Sequence, residues 1–286
     1  MSTYPSSFLP TRRLVGPSRK QRRQIHGQTG GMKLWRYRLS WIPGSAVSVA
    51  LDGIQRRHLV TELVGVDKNH NGFKTWSSHI DLPGSETGLL LVAKTVDSSP
   101  STVLPKRTLL RFSTEDSANY WLEGRLVSIA ETTRDEILLA AGRAQRYRRV
   151  RIATMGVASL SRREGEPLLS GAILIRALAN RWMMDLRQEL PGTSTPGPCP
   201  QNIVDELCEN VTMTANGPIR PAHVRVTART SVPAKQAISF DVDLRLGTSD
   251  PLAHQWFLAL THAAQMGGVG LHRAVGNGMV RVVPTA

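Results

Sequence analysis

The chain has only two cysteines in 286 residues, Cys199 and Cys208. No histidine stands near them at metal-ligand spacing, so they suggest neither a disulfide framework nor a zinc site, and no metal or other cofactor is called for. Aromatic residues make up only 5%. No two of them stand on a strand at the spacing of a base-stacking platform, so any reading of nucleic acid would rest on backbone shape and charge. Long apolar runs are missing as well. None approaches the roughly 18 residues of a membrane-spanning helix, and the N-terminus lacks the apolar core of a signal peptide. A soluble, cytoplasmic chain without a membrane partner is expected. Acid is scarce too: 22 Asp and Glu face 36 Lys and Arg, a formal net charge of +14. That excess goes beyond what solubility needs and implies a polyanionic partner.

What is present organises into four stretches. Residues 1–31 are poor in apolar residues and carry Arg12, Arg13, Arg19, Lys20, Arg22 and Arg23 without a single acid. This reads as a disordered basic arm. Two kinds of reading stand side by side for it: a tail that follows RNA phosphates, or else a misassigned start codon or a merely solubilising extension, since Met32 opens a first strand that reads as complete. From Met32 the segment Lys33 to Trp41 alternates bulky apolar with basic or polar residues, the period-2 signature of a half-buried strand with a basic exposed side. Pro43, Gly44 and Ser45 break it. Ser45 can cap a helix through Val47, Ala50, Leu51, Ile54, His58 and Leu63. Strands are expected at Gly88–Thr95 and Thr108–Phe112, with a short helix over Ser117–Arg125. Residues 32–130 then form a first module.

A helical, basic region with a Pro/Gly linker is expected over 131–204. Its helices run from Thr133 through Arg151 and from Pro167 to Leu190, the latter with Leu169, Ile173, Ala177 and Leu178 on one face. A second module follows over 205–286. It contains an alternating strand at Ile238–Leu246, and Asp250 and Pro251 then open a helix as N-cap and first helical residue. Trp256, Phe257, Leu260 and Ala264 line that helix's core face.

The helix runs into Gly267-Gly268-Val269-Gly270-Leu271-His272-Arg273-Ala274-Val275-Gly276-Asn277-Gly278, and a short strand, Met279–Val283, ends the chain. Glycines let a backbone approach a phosphate and turn N–H groups toward it, while His272 and Arg273 can add charge. The dinucleotide and nucleoside-triphosphate loops do not fit, since both need a strand before the glycines and a helix after them. The bland alternative is a turn that allows tight helix-to-strand packing.

An alternating strand, a helix, a G-x-G-x5-G-x-G loop and a terminal strand resemble the end of the RAMP superfamily, the RNA-binding proteins of CRISPR systems. The resemblance implies an α+β fold of two ferredoxin-like (βαββαβ) modules with a helical basic insertion and the C-terminal glycine-rich loop near bound RNA. Within the superfamily the chain is most similar to the endoribonucleases that process CRISPR repeat RNA. The resemblance implies catalysis by His58 with Arg57 beside it, and RNA binding by Arg56, Gly268, Gly270, His272, Arg273, Gly276 and Gly278. Metal-independent cleavage needs a base for the 2′-hydroxyl, an acid for the leaving 5′-oxygen and cations for the phosphorane, and a histidine among arginines can serve. The bland reading of His58 is a helix residue without chemistry.

A second feature is the run Arg143, Arg146, Arg148, Arg149 and Arg151. On a helix it would lie along an RNA hairpin and contact phosphates of both strands; otherwise it is a solvated basic face. The expected partners are therefore CRISPR RNA, through its repeat hairpin, and other subunits of a CRISPR effector complex. Two competing readings stay open: a non-catalytic backbone or 5′-end-binding subunit of such a complex, and an unrelated basic RNA-binding protein.

Overall fold

The computed structural model of the chain describes residues 31–42, 59, 63, 76–81, 87–94, 104–113, 119–160, 167–186, 197–224, 235–271 and 277–285. The basic arm up to residue 30 and most of the helix expected through Val47 to His58 lie outside them. Leu59 and Leu63 are described, and both are helical and buried.

The alternation of residues 33–41 is realised as β1 (Gly31–Trp41), whose Trp35, Tyr37 and Leu39 point into a core while Arg36 and Arg38 face water. With β2 (Trp76–Asp81), β3 (Thr87–Lys94), β4 (Arg107–Ser113) and β5 (Asn119–Thr133) it forms a five-stranded sheet in the order β2-β3-β1-β5-β4. Every pairing in the sheet is antiparallel. Its inner face packs Trp35, Tyr37, Leu39, Leu90, Leu110 and Leu122 against Leu59 and Leu63. Full burial of each such side chain is worth about 1.5–3 kcal/mol.

The short helix expected over Ser117–Arg125 is not formed; those residues from Asn119 on begin β5. Tyr120 and Trp121 are residues with strand preference. Pairing with β1 on one side and β4 on the other decides the conformation.

Strand β5 passes into α1 (Arg134–Arg143) without a loop. Thr133 ends the strand and caps the helix: its hydroxyl accepts from the Glu136 N–H at 3.1 Å, and the Glu136 carboxylate accepts from the Thr133 N–H at 3.0 Å. Such a reciprocal box satisfies two donors that a helix start leaves open. The helix stops at Arg143 and does not reach Arg151 as expected. Residues Arg149–Thr154 are a strand, β6, with Val150 and Ile152 buried and Arg149 and Arg151 exposed. Alternation of period 2 fits a pleated strand and cannot place both apolar residues on one helix face.

Downstream lie α2 (Gly171–Leu186), α3 (Gln201–Asn210), β7 (Val211–Ala215), β8 (Arg220–Val224), β9 (Lys235–Ser239), β10 (Asp241–Leu246), α4 (Pro251–Gly267) and β11 (Val280–Thr285). The expected strand Ile238–Leu246 is interrupted at Phe240: β9 pairs with β8, and β10 belongs to a four-stranded antiparallel sheet ordered β11-β6-β10-β7. A strand from the region read as helical insertion is thus central to the second sheet. Helix α4 begins as expected, with the Asp250 carboxylate accepting from the N–H groups of Leu252 and Ala253, both at 3.1 Å, and Pro251 in the first turn. Trp256, Phe257, Leu260 and Ala264 are buried in the second core, where Trp182 of α2 meets Trp256 edge to face at 5.5 Å.

The two sheets are joined through side chains on the outer face of the first. Met32 belongs to the second core, and Leu34 and Ala130 pack against it. The Ser77 hydroxyl donates to the Gly267 carbonyl at the end of α4 at 2.7 Å. Arg134, at the start of α1, is buried over the Trp182 ring at 5.4 Å, and burial pushes its guanidinium down to about 10.

Candidate nucleic-acid interface

Of the residues singled out from sequence, Arg56, Arg57, His58, His272, Arg273 and Gly276 lie outside the described residues. The others can be placed. Gly268, Gly270 and Gly278 all have positive φ, at 76°, 74° and 83°. A Cβ on Gly270 would sit 2.3 Å from the Ser159 carbonyl oxygen, and one on Gly268 would sit 2.7 Å from that of Gly278. Only glycine tolerates that backbone and that approach. Four N–H groups here are already bonded: Gly268 donates to Ala264, Val269 to Gly278, Leu271 to Ser159 and Gly278 to Val157, at 2.7–2.8 Å. In its described part, the loop is a tight seam between α4, residues 157–159 and the approach to β11.

The arginine run is not one surface. Arg143 is exposed in the last turn of α1. Arg146 lies over the Tyr147 ring at 4.7 Å and donates to its hydroxyl at 2.7 Å, and Arg148 donates to the Thr248 carbonyl at 3.4 Å. Arg149 and Arg151 stand on the open face of the second sheet beside β10. Arg149 donates to Asp243 at 2.5 Å, and Arg151 holds Asp241 with both arms of its fork, at 2.8 and 2.5 Å. The Arg151 hydrogen bond holds the Asp241 carboxyl below its ordinary range, with Asn216 and Arg281 helping. These two arginines form fork-and-carboxylate pairs inside the sheet.

A different cationic surface emerges on the first sheet. Directly opposed residues of antiparallel strands point to the same face. Arg38 of β1 lies opposite Arg125 of β5, and Arg125 lies opposite Arg107 of β4. Three exposed arginines therefore stand side by side across three strands, about 5 Å apart at each step. Arg36, two residues along β1, shares the face; so does Arg111, whose guanidinium lies over Trp121 at 5.6 Å. Two carboxylates stand nearby. Glu123 accepts from Arg125 at 3.0 and 3.2 Å, and that bond, with Arg107 adding to it, holds its carboxyl below the ordinary range. Asp81 ends the same row beyond Leu89, two strands from Arg38. Among the described residues no carboxylate forms a hydrogen bond or ion pair with Arg36, Arg38 or Arg107, and Arg107 acts on Glu123 through its charge alone.

The other end of this outer face is closed by the second module, through Met32, Leu34, Ser77 and Ala130, so the arginines border the junction of the two sheets. Sequence reasoning had one signal for this surface, the basic side of β1. The register that adds Arg107 and Arg125 is not visible along the chain. Among the described residues no group of three His, Cys, Asp or Glu side chains could hold a metal ion, and no helix is long and apolar enough to cross a membrane.

No family model and no curated protein matches the sequence. Solved structures do. A Cas6 mutant shares 16% identity at a TM-score of 0.58, over 88% of this chain and 99% of that one. The chain has the Cas6 fold. A Cas6 complex with a substrate mimic matches at a TM-score of 0.57 and 14% identity, over 88% of this chain and 99% of that one. Thermus thermophilus Cas6 matches at 0.55 and 13%, over 90% of this chain and all of that one. The Cas6 fold thus accounts for both sheets and their order along the chain, at identities too low to transfer residues.

Proposed function

We propose that this chain is a CRISPR RNA-processing protein that binds the repeat hairpin of precursor CRISPR RNA and cuts it without metal, leaving a 2′,3′-cyclic phosphate and a 5′-hydroxyl. The observation that carries the reading is the likeness to Cas6 structures over nearly the whole length of both chains, one of them a substrate-mimic complex. The net charge of +14 and the open arginine face of the first sheet support it. The fold is read as two ferredoxin-like modules. In the second, β6, β7, β10 and β11 occur in chain order 1-2-3-4 and lie in the order 4-1-3-2. In the first, β1, β2, β3 and β5 repeat that arrangement, with β4 added at the edge.

In this reading His58 acts as general base or acid at the cleaved linkage, and Arg56 and Arg57 steady the phosphate. His272, Arg273 and Gly276 of the glycine loop face the RNA, with Gly268, Gly270 and Gly278 holding the loop in place. Arg143 and Arg146 contribute phosphate contacts at the edge of the second module. Other subunits of a CRISPR effector complex receive the processed RNA.

The test is incubation of the purified protein with end-labelled repeat RNA in EDTA, wild type beside His58→Ala. Wild type is expected to cut at one position. The variant is expected to bind with unchanged affinity and to cut about 100-fold more slowly or worse, the usual loss for an acid–base group. Tight binding without cleavage by wild type overturns the enzymatic reading and favours a non-catalytic subunit of the same superfamily.

A further inference from the structure

The row Arg38, Arg125, Arg107 calls for a physical explanation. Like charges placed directly opposite one another across strands are destabilising. Glu123 relieves only the middle member by hydrogen bonding. On the same face lie the half-exposed Leu109, opposite Glu123, and Trp121, opposite Arg111. The face thus offers cations beside the half-exposed Leu109 and the partly exposed Trp121, over whose ring Arg111 lies.

We infer that this row, with Arg36 beside it, binds the phosphates of an unpaired RNA strand, whose bases rest on Leu109, Trp121 and the guanidinium planes. The inference rests on the RNA reading above and names which part of the RNA lies here. An unpaired strand presents both phosphates and open base faces, and so matches both features of the surface. A duplex presents phosphates with its bases stacked inside, which leaves Leu109 against water. Its deep, narrow major groove also excludes side chains from a flat sheet. The row runs from Arg38 toward the β4 edge and is bounded on the other side by Asp81, so the bound strand crosses the protein strands and leaves over β4. Contacts of this kind are largely blind to sequence, in keeping with the scarcity of aromatics.

The experiment measures binding of labelled oligouridylate, of a blunt RNA duplex and of repeat RNA as a function of salt, for wild type, Arg38→Gln/Arg107→Gln and Arg38→Lys/Arg107→Lys. Each single-strand phosphate neutralised contributes about 0.7 to the slope of log affinity against log salt. The glutamine variant is therefore expected to lose about 1.4 from the oligouridylate slope and roughly tenfold in affinity near 0.1 M salt. Duplex affinity should stay within about twofold, and the lysine variant should recover the slope because it keeps the charge. Equal losses on oligouridylate and duplex would overturn the single-strand assignment, and an unchanged oligouridylate slope would overturn the site. Failure of wild type to bind repeat RNA would instead sink the processing reading, whatever the oligouridylate titration shows.

Discussion

The two sheets of this protein both turn arginines to their open faces, but they place the carboxylates differently. On the second sheet Arg151 lies opposite Asp243 and reaches diagonally to Asp241, and Arg149 reaches diagonally to Asp243. On the first sheet Arg38, Arg125 and Arg107 lie opposite one another, and Glu123 is bonded to Arg125 alone. The same residue type on the same kind of strand is thus an internal partner in one module and an outward cation in the other. A count of arginines along the chain cannot separate these cases. The run from Arg143 to Arg151 is the denser in sequence, yet two of its five arginines, Arg149 and Arg151, are taken up by carboxylates.

That contrast can be broken by making the second face like the first. Asp241→Asn/Asp243→Asn removes both carboxylates and frees Arg149 and Arg151. Oligouridylate affinity at low salt is expected to rise about tenfold and its salt slope to steepen by about 1.4. Filter binding across a salt series reads both, and an unchanged slope would show that the second face lies away from bound RNA. The cost in stability is small, about 1 kcal/mol for the two pairs together, because both arginines are half exposed and solvent screens them.

The next effect is in acid. The folded-state pKa of Asp241 is lowered, so the Arg151 pair stabilises the protein above the unfolded carboxyl value near 3.9 and that contribution is lost as pH falls further, below about 4. Urea unfolding of wild type and Asp241→Asn at stepped pH should converge below about pH 4 and diverge above it by less than about 1 kcal/mol. A constant gap at every pH would assign the difference to packing.

The smallest effect sharpens the other side of the comparison. Arg38→Gln removes one like-charge neighbour of Arg125 without touching the core. It is expected to raise stability by about 0.3 kcal/mol in low salt, and the gain should fade as salt screens the row. A loss of stability in chemical denaturation would mean that Arg38 has a structural partner.

Much of the fold was legible where local pattern and tertiary role agree. The alternation from Lys33 to Trp41 became β1, Asp250 and Pro251 opened α4, and the last residues formed the terminal strand. Reading failed where two periods compete. Trp121 and Leu122, with the charged Glu123 and Arg125 after them, suit a helix face as well as a strand, and the five-stranded sheet resolved the ambiguity. Arg149 to Thr154 follows a real helix after only five residues, so its period-2 alternation reads as that helix's continuation. The candidate site was less legible still. The glycines were visible as glycines, but their carbonyl neighbours, Ser159 and Gly278, are supplied by folding.

By itself, then, the chain determined its charge, its scarcity of aromatics, its half-buried first strand and the start of its last helix. These follow from composition and from periods of two and 3.6 residues, which act over a few neighbours. Tertiary structure decided which arginines meet carboxylates and which meet each other. Arg38 and Arg125, or Arg149 and Asp243, are far apart along the chain. They become neighbours only through strand register, and register is set by burying one face of every strand at once.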